Sequence, residues 1–389
     1  MYRISRFHEI MKALPRGTFE QMADAHGADK HSKGFGCWDQ LVAMVYAQLS
    51  GAGSLRVLET GFNSQRTHHY HLGTGPLRRS TLADANGKRK TEVFAEAARL
   101  LMSQAKRQLR REGEELLYLL DSTSVTLKGP GFDTWTRQNS TRNTQGIKLH
   151  VLYASHGEVP VQYSITPPNV NDIDEGVKLP IEAGALYVFD KGYCDYNWWN
   201  RIDGQKAWFV TRFKRNASLA VDRVQPVPLE DAESVLRDEI VRFANRHPRG
   251  GRKNHYDRPL RRITVARPEH DPLVLATNDL TSPAAAIAQR YKDRWEIELF
   301  FKWIKQHLKI KRFLGRSENS VRIQILTALI AYLLLAVYRK TRNYAGSLWM
   351  LLAEVRATLF QRPGIEAALY RRRMDSLSEI ATRQGALFV

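Results

Sequence analysis

The sequence predicts a mixed α/β protein: a helical N-terminal domain, then a mixed sheet with flanking helices, interrupted by a β-rich insertion before a long helix. Three observations carry this. Over residues 1–75 apolar positions recur at helical spacing and are broken by Gly and Pro; at Leu116 apolar runs of strand length begin; after Pro283 helical spacing returns.

In order, Ile4, Phe7, Ile10 and Met11 share one helical face and Leu41, Met44, Val45 and Leu49 another, with Pro15, Gly17, Gly34 and Gly51 as stops, giving a helical domain over 1–75. Residues 76–114 connect: Pro76 to Lys90 is polar and turn-rich, and a helix from about Thr91 to Arg110 buries Val93, Phe94, Ala97, Leu100 and Leu101. The first part of the core, 115–213, opens with the strand Leu116–Leu120 ending at Asp121. Gly146–Tyr153 and Val159–Ile165 alternate as a hairpin turning at His156-Gly157. Asn171-Asp172 caps a short helix, Ala185–Phe189 is a strand ending at Asp190, and Trp208–Thr211 is a fifth strand. Residues 214–280 read as a β-rich insertion subdomain, clearest at Arg261–Ala266 and Pro272–Ala276. Thr281-Ser282-Pro283 starts one long helix running to about Lys309, in the second core part 281–340. Residues 341–389 form a helical end with the basic run Tyr370–Arg373, which completes the core or supplies a dimer contact.

A chain of 389 residues exceeds one ordinary core and predicts two or three domains. With 59 Lys and Arg against 40 Asp and Glu, a formal net charge of +19 and a pI near 9.9, the chain favours phosphate backbones or anionic membrane surfaces as partners. A membrane span needs about 18 apolar residues. The best run, Ala328–Val337, is far shorter, so it predicts a buried helix and no membrane. Met1–Arg6 lacks an apolar h-region, and Cys37 and Cys194 stand far apart without zinc-spaced partners; both point to the cytoplasm.

The chemistry concentrates on the long helix. At about 100° per residue Tyr291, Arg294, Glu298 and Lys305 fall within roughly 60° of one another, with Lys302 beside them. Glu296 lies about 160° from Glu298, off this stripe. Phosphodiester cleavage needs an activated nucleophile and neutralised oxygens, which two Mg²⁺ ions about 3.5–4 Å apart supply, held by carboxylates. Asp121, Asp190 and Glu298 fit as catalytic and metal-ligating residues, with Mn²⁺ able to substitute and with Asp172, Asp174 and Asp195 as competitors. A fork such as Arg294 and a point charge such as Lys305 suit phosphate oxygens, and Tyr291 can donate to phosphate or stack on a base. The bland alternative is an i, i+4 salt bridge between Arg294 and Glu298.

Tyr291-x2-Arg294-x3-Glu298-x6-Lys305 resembles the YREK signature of bacterial insertion-sequence transposases of the DDE class, IS-four type. Asp190-Lys-Gly-Tyr193 is similar to that family's D-x-G-Y motif, and Asp121-Ser-Thr to its first acid; the resemblance covers roughly 115–310. It implies a ribonuclease H-like core and cut-and-paste transposition. In that sequence water nicks the element end, the freed 3′-hydroxyl forms a hairpin on the opposite strand, the hairpin reopens, and the 3′-end joins target DNA. It further implies double-stranded DNA partners, both terminal inverted repeats and target, a homodimer in the DNA complex, and end phosphates held by Tyr291, Arg294 and Lys305. Some relatives stack an aromatic residue of the insertion on a flipped base. No Trp lies between Phe209 and Arg294, which leaves Trp208, Trp295 and Tyr256 open.

Further DNA contacts are expected from the loop holding Arg249, Arg252, Lys253 and Arg258, with Gly250-Gly251 for flexibility, although solvation explains such a loop equally well. The N-terminal helices suit DNA-end binding, whether or not they form a helix-turn-helix. Two other functions stay open: a ribonuclease H-like DNA nuclease without strand transfer, and a catalytically inactive DNA-binding protein derived from a transposase.

Overall fold

The computed structural model describes residues 4–30, 32–139, 144–245, 252–308 and 313–362. The chain divides into two compact units, 102–306 and the combination of 1–101 with 307–389.

The second of these is helical. It begins with α1 (Arg6–Met11), capped by Ser5, then α2 (Arg16–Ala25), α3 (Cys37–Ser50), α4 (Leu55–Asn63), α5 (Arg66–Leu72), α6 (Arg79–Lys88) and the first half of α7 (Thr91–Glu112). Helix α3 ends at Gly51, whose φ of 73° is the left-handed conformation glycine tolerates best. The segment read as polar and turn-rich contains α6. Its buried residues are Leu82, Ala85 and Asn86, and Asn86 Oδ1 accepts from Gln40 Nε2 at 2.7 Å, so a buried polar contact does the work that periodic apolar residues do elsewhere.

The other unit is built on a ten-stranded sheet. Its strands are β1 (Leu117–Thr126), β2 (Arg137–Asn139), β3 (Thr144–Ala154), β4 (Val159–Thr166), β5 (Leu186–Phe189), β6 (Trp208–Arg212), β7 (Leu219–Gln225), β8 (Val235–Phe243), β9 (Leu260–Val265) and β10 (Leu273–Thr277). The order is β2-β3-β1-β5-β6-β10-β9-β8-β7, with β4 also on β3. Strands β1, β5 and β6 run parallel; every other pairing is antiparallel. Helices α8 (Asp172–Gly176), α9 (Tyr196–Gly204), α10 (Ala284–Asp293) and α11 (Trp295–His307) complete it.

Three features differ from the sequence reading. Strand β1 does not stop at Asp121: its parallel partner β5 ends at Phe189, while β3 pairs with it as far as Thr126. The insertion is no separate sheet, because β10 pairs with β6 and carries β9, β8 and β7 outward on the same ladder. The long helix is broken at Arg294, a turn residue between α10 and α11.

Beyond the sheet unit, α12 (Glu318–Thr341) and α13 (Leu348–Thr358) group with the N-terminal helices. Helix α12 is apolar on all sides and packs on α3, α6, α1 and α13. It is long and apolar enough to cross a membrane, yet 89% of its most apolar window is buried, as expected of a core helix. The run at 370–373 lies outside the described residues.

Candidate active site

The site follows from strand register. Leu120 pairs with Phe189 across the parallel strands β1 and β5, so the next residues, Asp121 and Asp190, stand side by side. Val188 pairs with Val210 across β5 and β6, which brings Arg212 level with Asp190 two residues later. Asp121, Asp190 and Arg212 thus form one row across three parallel strands, at the carboxyl ends of β5 and β6 while β1 runs on past it to Thr126, and the carboxyl ends of parallel strands are where open α/β sheets place their sites. Glu298 comes from α11.

Arginines tie these acids together. Arg294 Nη1 lies 2.7 Å from Glu298 Oε1 and 3.9 Å from Asp121 Oδ2, so one guanidinium bridges the helix acid and the first strand acid. Arg212 Nη2 donates to Asp190 Oδ1 at 2.5 Å, and the Tyr291 hydroxyl reaches the same oxygen at 3.4 Å. Tyr291 is buried, with the Arg294 guanidinium 5.8 Å from its ring centroid. Glu296 accepts instead from Ser155 Oγ at 2.6 Å, so Glu298 is the acid of this helix that joins the aspartates.

The two aspartates differ electrostatically. Burial pushes the Asp121 carboxyl up to about 6, with Glu298 and Asp172 adding to the effect and the Ser122 N–H and Arg294 opposing it. Burial also works on Asp190, but the Arg212 hydrogen bond, the Lys191 N–H and the charges of Arg212 and Arg294 outweigh it and hold this carboxyl below the usual range. Arg294 itself is held charged: Tyr291, Glu298 and Asp121 more than offset its desolvation.

Asp172, a sequence-level competitor, serves the site from behind. It accepts from Ser122 Oγ at 2.6 Å and from the buried Lys148 Nζ at 3.1 Å, while the Ser122 N–H donates to Asp121 Oδ1 at 2.8 Å. Asp195 caps α9 by accepting from Trp198 N at 2.8 Å. Tyr193 is buried, pressed so closely on Gly176 that a Cβ there would lie 2.9 Å from its ring. Sequence reasoning missed Arg212 and Lys148; the available signal was a cation four residues beyond Trp208, at the end of a strand parallel to the one ending in Asp190.

The expected DNA-facing residues divide. Lys302 is exposed and Lys305 half-buried on α11. Arg252 is 78% exposed, 3.6 Å from Asp195, and Lys253 is exposed with its carbonyl taken by Asn197. Tyr256 is a correction: it is buried and donates to Asp203 at 2.8 Å, so it offers no ring face to a base, while Arg258 pairs with the same Asp203 at 2.9 Å and keeps its side chain 40% exposed. Trp208 is 44% exposed at the start of β6, the end remote from Arg212, whereas Trp295, 58% exposed, directly follows Arg294. Arg249 lies outside the described residues.

Among the described residues no three His, Cys, Asp or Glu side chains are arranged to enclose a metal ion. The donor chemistry nonetheless suits a hard divalent cation, being wholly carboxylate oxygen, and a cationic guanidinium already sits between Asp121 and Glu298.

Residues 112–334 match the family described as the transposase DDE domain, and residues 3–75 match a domain of unknown function. A putative transposase, y4zB, of Sinorhizobium fredii is 44% identical over 289 residues, 74% of this chain and 78% of that protein. A probable transposase for insertion sequence element IS5377 of Geobacillus stearothermophilus is 28% identical over 256 residues, 65% of each chain. The piggyBac transposase, solved as a synaptic complex with hairpin DNA, has a similar fold, with a TM-score of 0.50 at 10% identity over 95% of this chain and 82% of that one.

Proposed function

Since the chain belongs to the DDE-domain transposase family of bacterial insertion sequences, we propose that it excises and inserts its element through Asp121, Asp190 and Glu298, by cut-and-paste with hairpin ends. The observation that carries this reading is the row of Asp121 and Asp190 on neighbouring parallel strands, joined to Glu298 through Arg294.

Members of the family generally use divalent metal ions, and the three carboxylates are the groups that would hold two Mg²⁺, or Mn²⁺ in its place. Such ions, when bound, lower the pKa of the attacking water or 3′-hydroxyl and neutralise charge on the leaving oxygen. The protein's part is position and charge. Asp121 and Asp190 fix two ligands on neighbouring parallel strands, and Glu298 approaches from α11. Tyr291, Arg294, Lys305 and Lys302 hold end phosphates. Trp295 is the aromatic best placed to stack on a displaced base, being exposed and next to Arg294. Arg252 and Lys253 contact the backbone further out. The DNA partners are the terminal inverted repeats and then the target, engaged by a homodimer in the bacterial cytoplasm, with residues 1–75 contributing to end binding.

The test is cleavage of DNA bearing the element's own ends in Mg²⁺. Asp190→Ala and Glu298→Ala should abolish it, and full activity of either variant would sink the site. Recovery of joined target products supports transposition, while nicking alone would support a nuclease.

A further inference from the structure

We infer that Arg212 is a phosphate-binding residue of this site, and that Arg212 and Arg294 are exchangeable counter-ions, resting on the acids until a divalent cation is bound and then turning to DNA phosphates. The inference deepens the transposase reading and rests on it.

Three observations lead here. First, two guanidiniums serve three carboxylates: Arg294 spans Glu298 and Asp121, and Arg212 holds Asp190. A cation held by these carboxylates would compete with the guanidiniums for their negative charge. Second, neither arginine is fully used. The Nε of each is buried without a hydrogen-bond partner, although a guanidinium carries five donors. A buried unmade donor is destabilising, and a phosphate with several acceptor oxygens removes that cost. Third, both are placed to turn without leaving. Arg212 ends β6, its side chain 26% exposed, and Arg294 occupies the turn between α10 and α11. Once the acids have cationic partners of their own, like-charge repulsion moves the forks off the carboxylates and towards the substrate's anionic backbone.

By linkage, an ion at the acids and DNA at the arginines strengthen each other's binding. The salt dependence of DNA binding reads this directly, since each phosphate neutralised adds about 0.9 to the slope of log K against log salt. The experiment uses the full chain and a duplex of the inverted repeat that flanks its gene, in Ca²⁺ and in EDTA. In Ca²⁺, Arg212→Gln should bind with a slope about 0.9 smaller than the unsubstituted protein. In EDTA the two slopes should coincide, because Arg212 is then engaged with Asp190. Arg212→Lys, which keeps the charge without the fork, should restore the slope and still cleave roughly tenfold or more slowly. Equal slopes for Arg212→Gln and the unsubstituted protein in Ca²⁺ would overturn the inference even if cleavage fell, since the arginine would then only orient Asp190; a slope in Arg212→Lys as low as in Arg212→Gln would overturn it too. If the unsubstituted protein fails to cleave its own ends in Mg²⁺, the functional reading itself fails; if it cleaves and the slopes coincide, only the exchange does.

Discussion

The two halves of the sheet use arginine in opposite ways. At the parallel end, Arg294 and Arg212 lean on the acids proposed above as catalytic, each with an unused buried donor. In the antiparallel extension, Arg261 is buried and grips Asp238 with two bonds of 2.8 Å and 2.6 Å, adding a third to the Ser282 carbonyl, while Arg262 donates to Glu239 at 2.7 Å. Those pairs are architectural: they close the β8–β9 ladder onto the start of the helix that carries Tyr291. On the exchange inferred above, the same residue type is a replaceable counter-ion in one place and a fixture in the other. What separates the two is whether the acid has a second claim on it.

The largest effect that sharpens this contrast is at the acids. Glu298→Gln should lower end cleavage about a thousandfold or more, the several kcal/mol an ion-held oxygen supplies to the transition state, with little change in melting temperature. Retained cleavage would put the helix acid among the architectural ones. Next comes Arg261→Ala, which leaves Asp238 charged and buried. It should cost about 3–5 kcal/mol of stability by denaturant titration. Its salt slope for DNA should be unchanged, and a reduced slope would mean that the extension's arginines also reach the backbone.

That contrast marks what the sequence could and could not convey. Asp121, Asp190 and Glu298 could be singled out because an acid after an apolar run and a helical stripe are local patterns, and angular position alone separated Glu298 from Glu296; the structure adds that β1 continues past Asp121. The parallel register that aligns Asp190 with Arg212 is non-local, so a cation four residues beyond Trp208 did not by itself say which acid it would meet. The basic run 249–262 looked uniform by composition, yet Arg258, Arg261 and Arg262 are bound to Asp203, Asp238 and Glu239. Those acids lie far off along the chain, and no spacing rule reveals them. The break at Arg294 carries no local signal, because Arg is a good helix former.

A smaller effect should appear in stability against pH. The Asp121 carboxyl, raised to about 6 by burial and by Glu298 and Asp172, binds its proton more tightly folded than unfolded. The folded state therefore holds more protons between about pH 4 and 6, and stability falls as pH rises through that window. In the presence of chelator, Asp121→Asn should be more stable than the unsubstituted protein at pH 8, by up to about 2 kcal/mol, with the difference gone near pH 4. Asp190→Asn should show the opposite sign at pH 8, because Arg212 holds that carboxylate in its charged form. Parallel behaviour of the two variants would remove the distinction between the neighbouring aspartates.

The smallest effect concerns the aromatics. Tyr256→Phe removes the hydroxyl that donates to Asp203 at 2.8 Å and leaves the Arg258–Asp203 pair in place, so it should cost about 1 kcal/mol of stability and nothing in DNA handling. Trp295→Ala should do the reverse. An exposed indole beside Arg294 contributes little to folding, but as a stacking platform it is worth about 1–3 kcal/mol to a displaced base. A fluorescent base analogue placed at the element end should brighten as it unstacks on binding, then be quenched against Trp295, with the quenching lost in Trp295→Ala and kept in Trp208→Ala. If the Trp208 variant loses it instead, the remote end of β6 meets the displaced base, and the carboxyl ends of the parallel strands are only part of the DNA-binding surface.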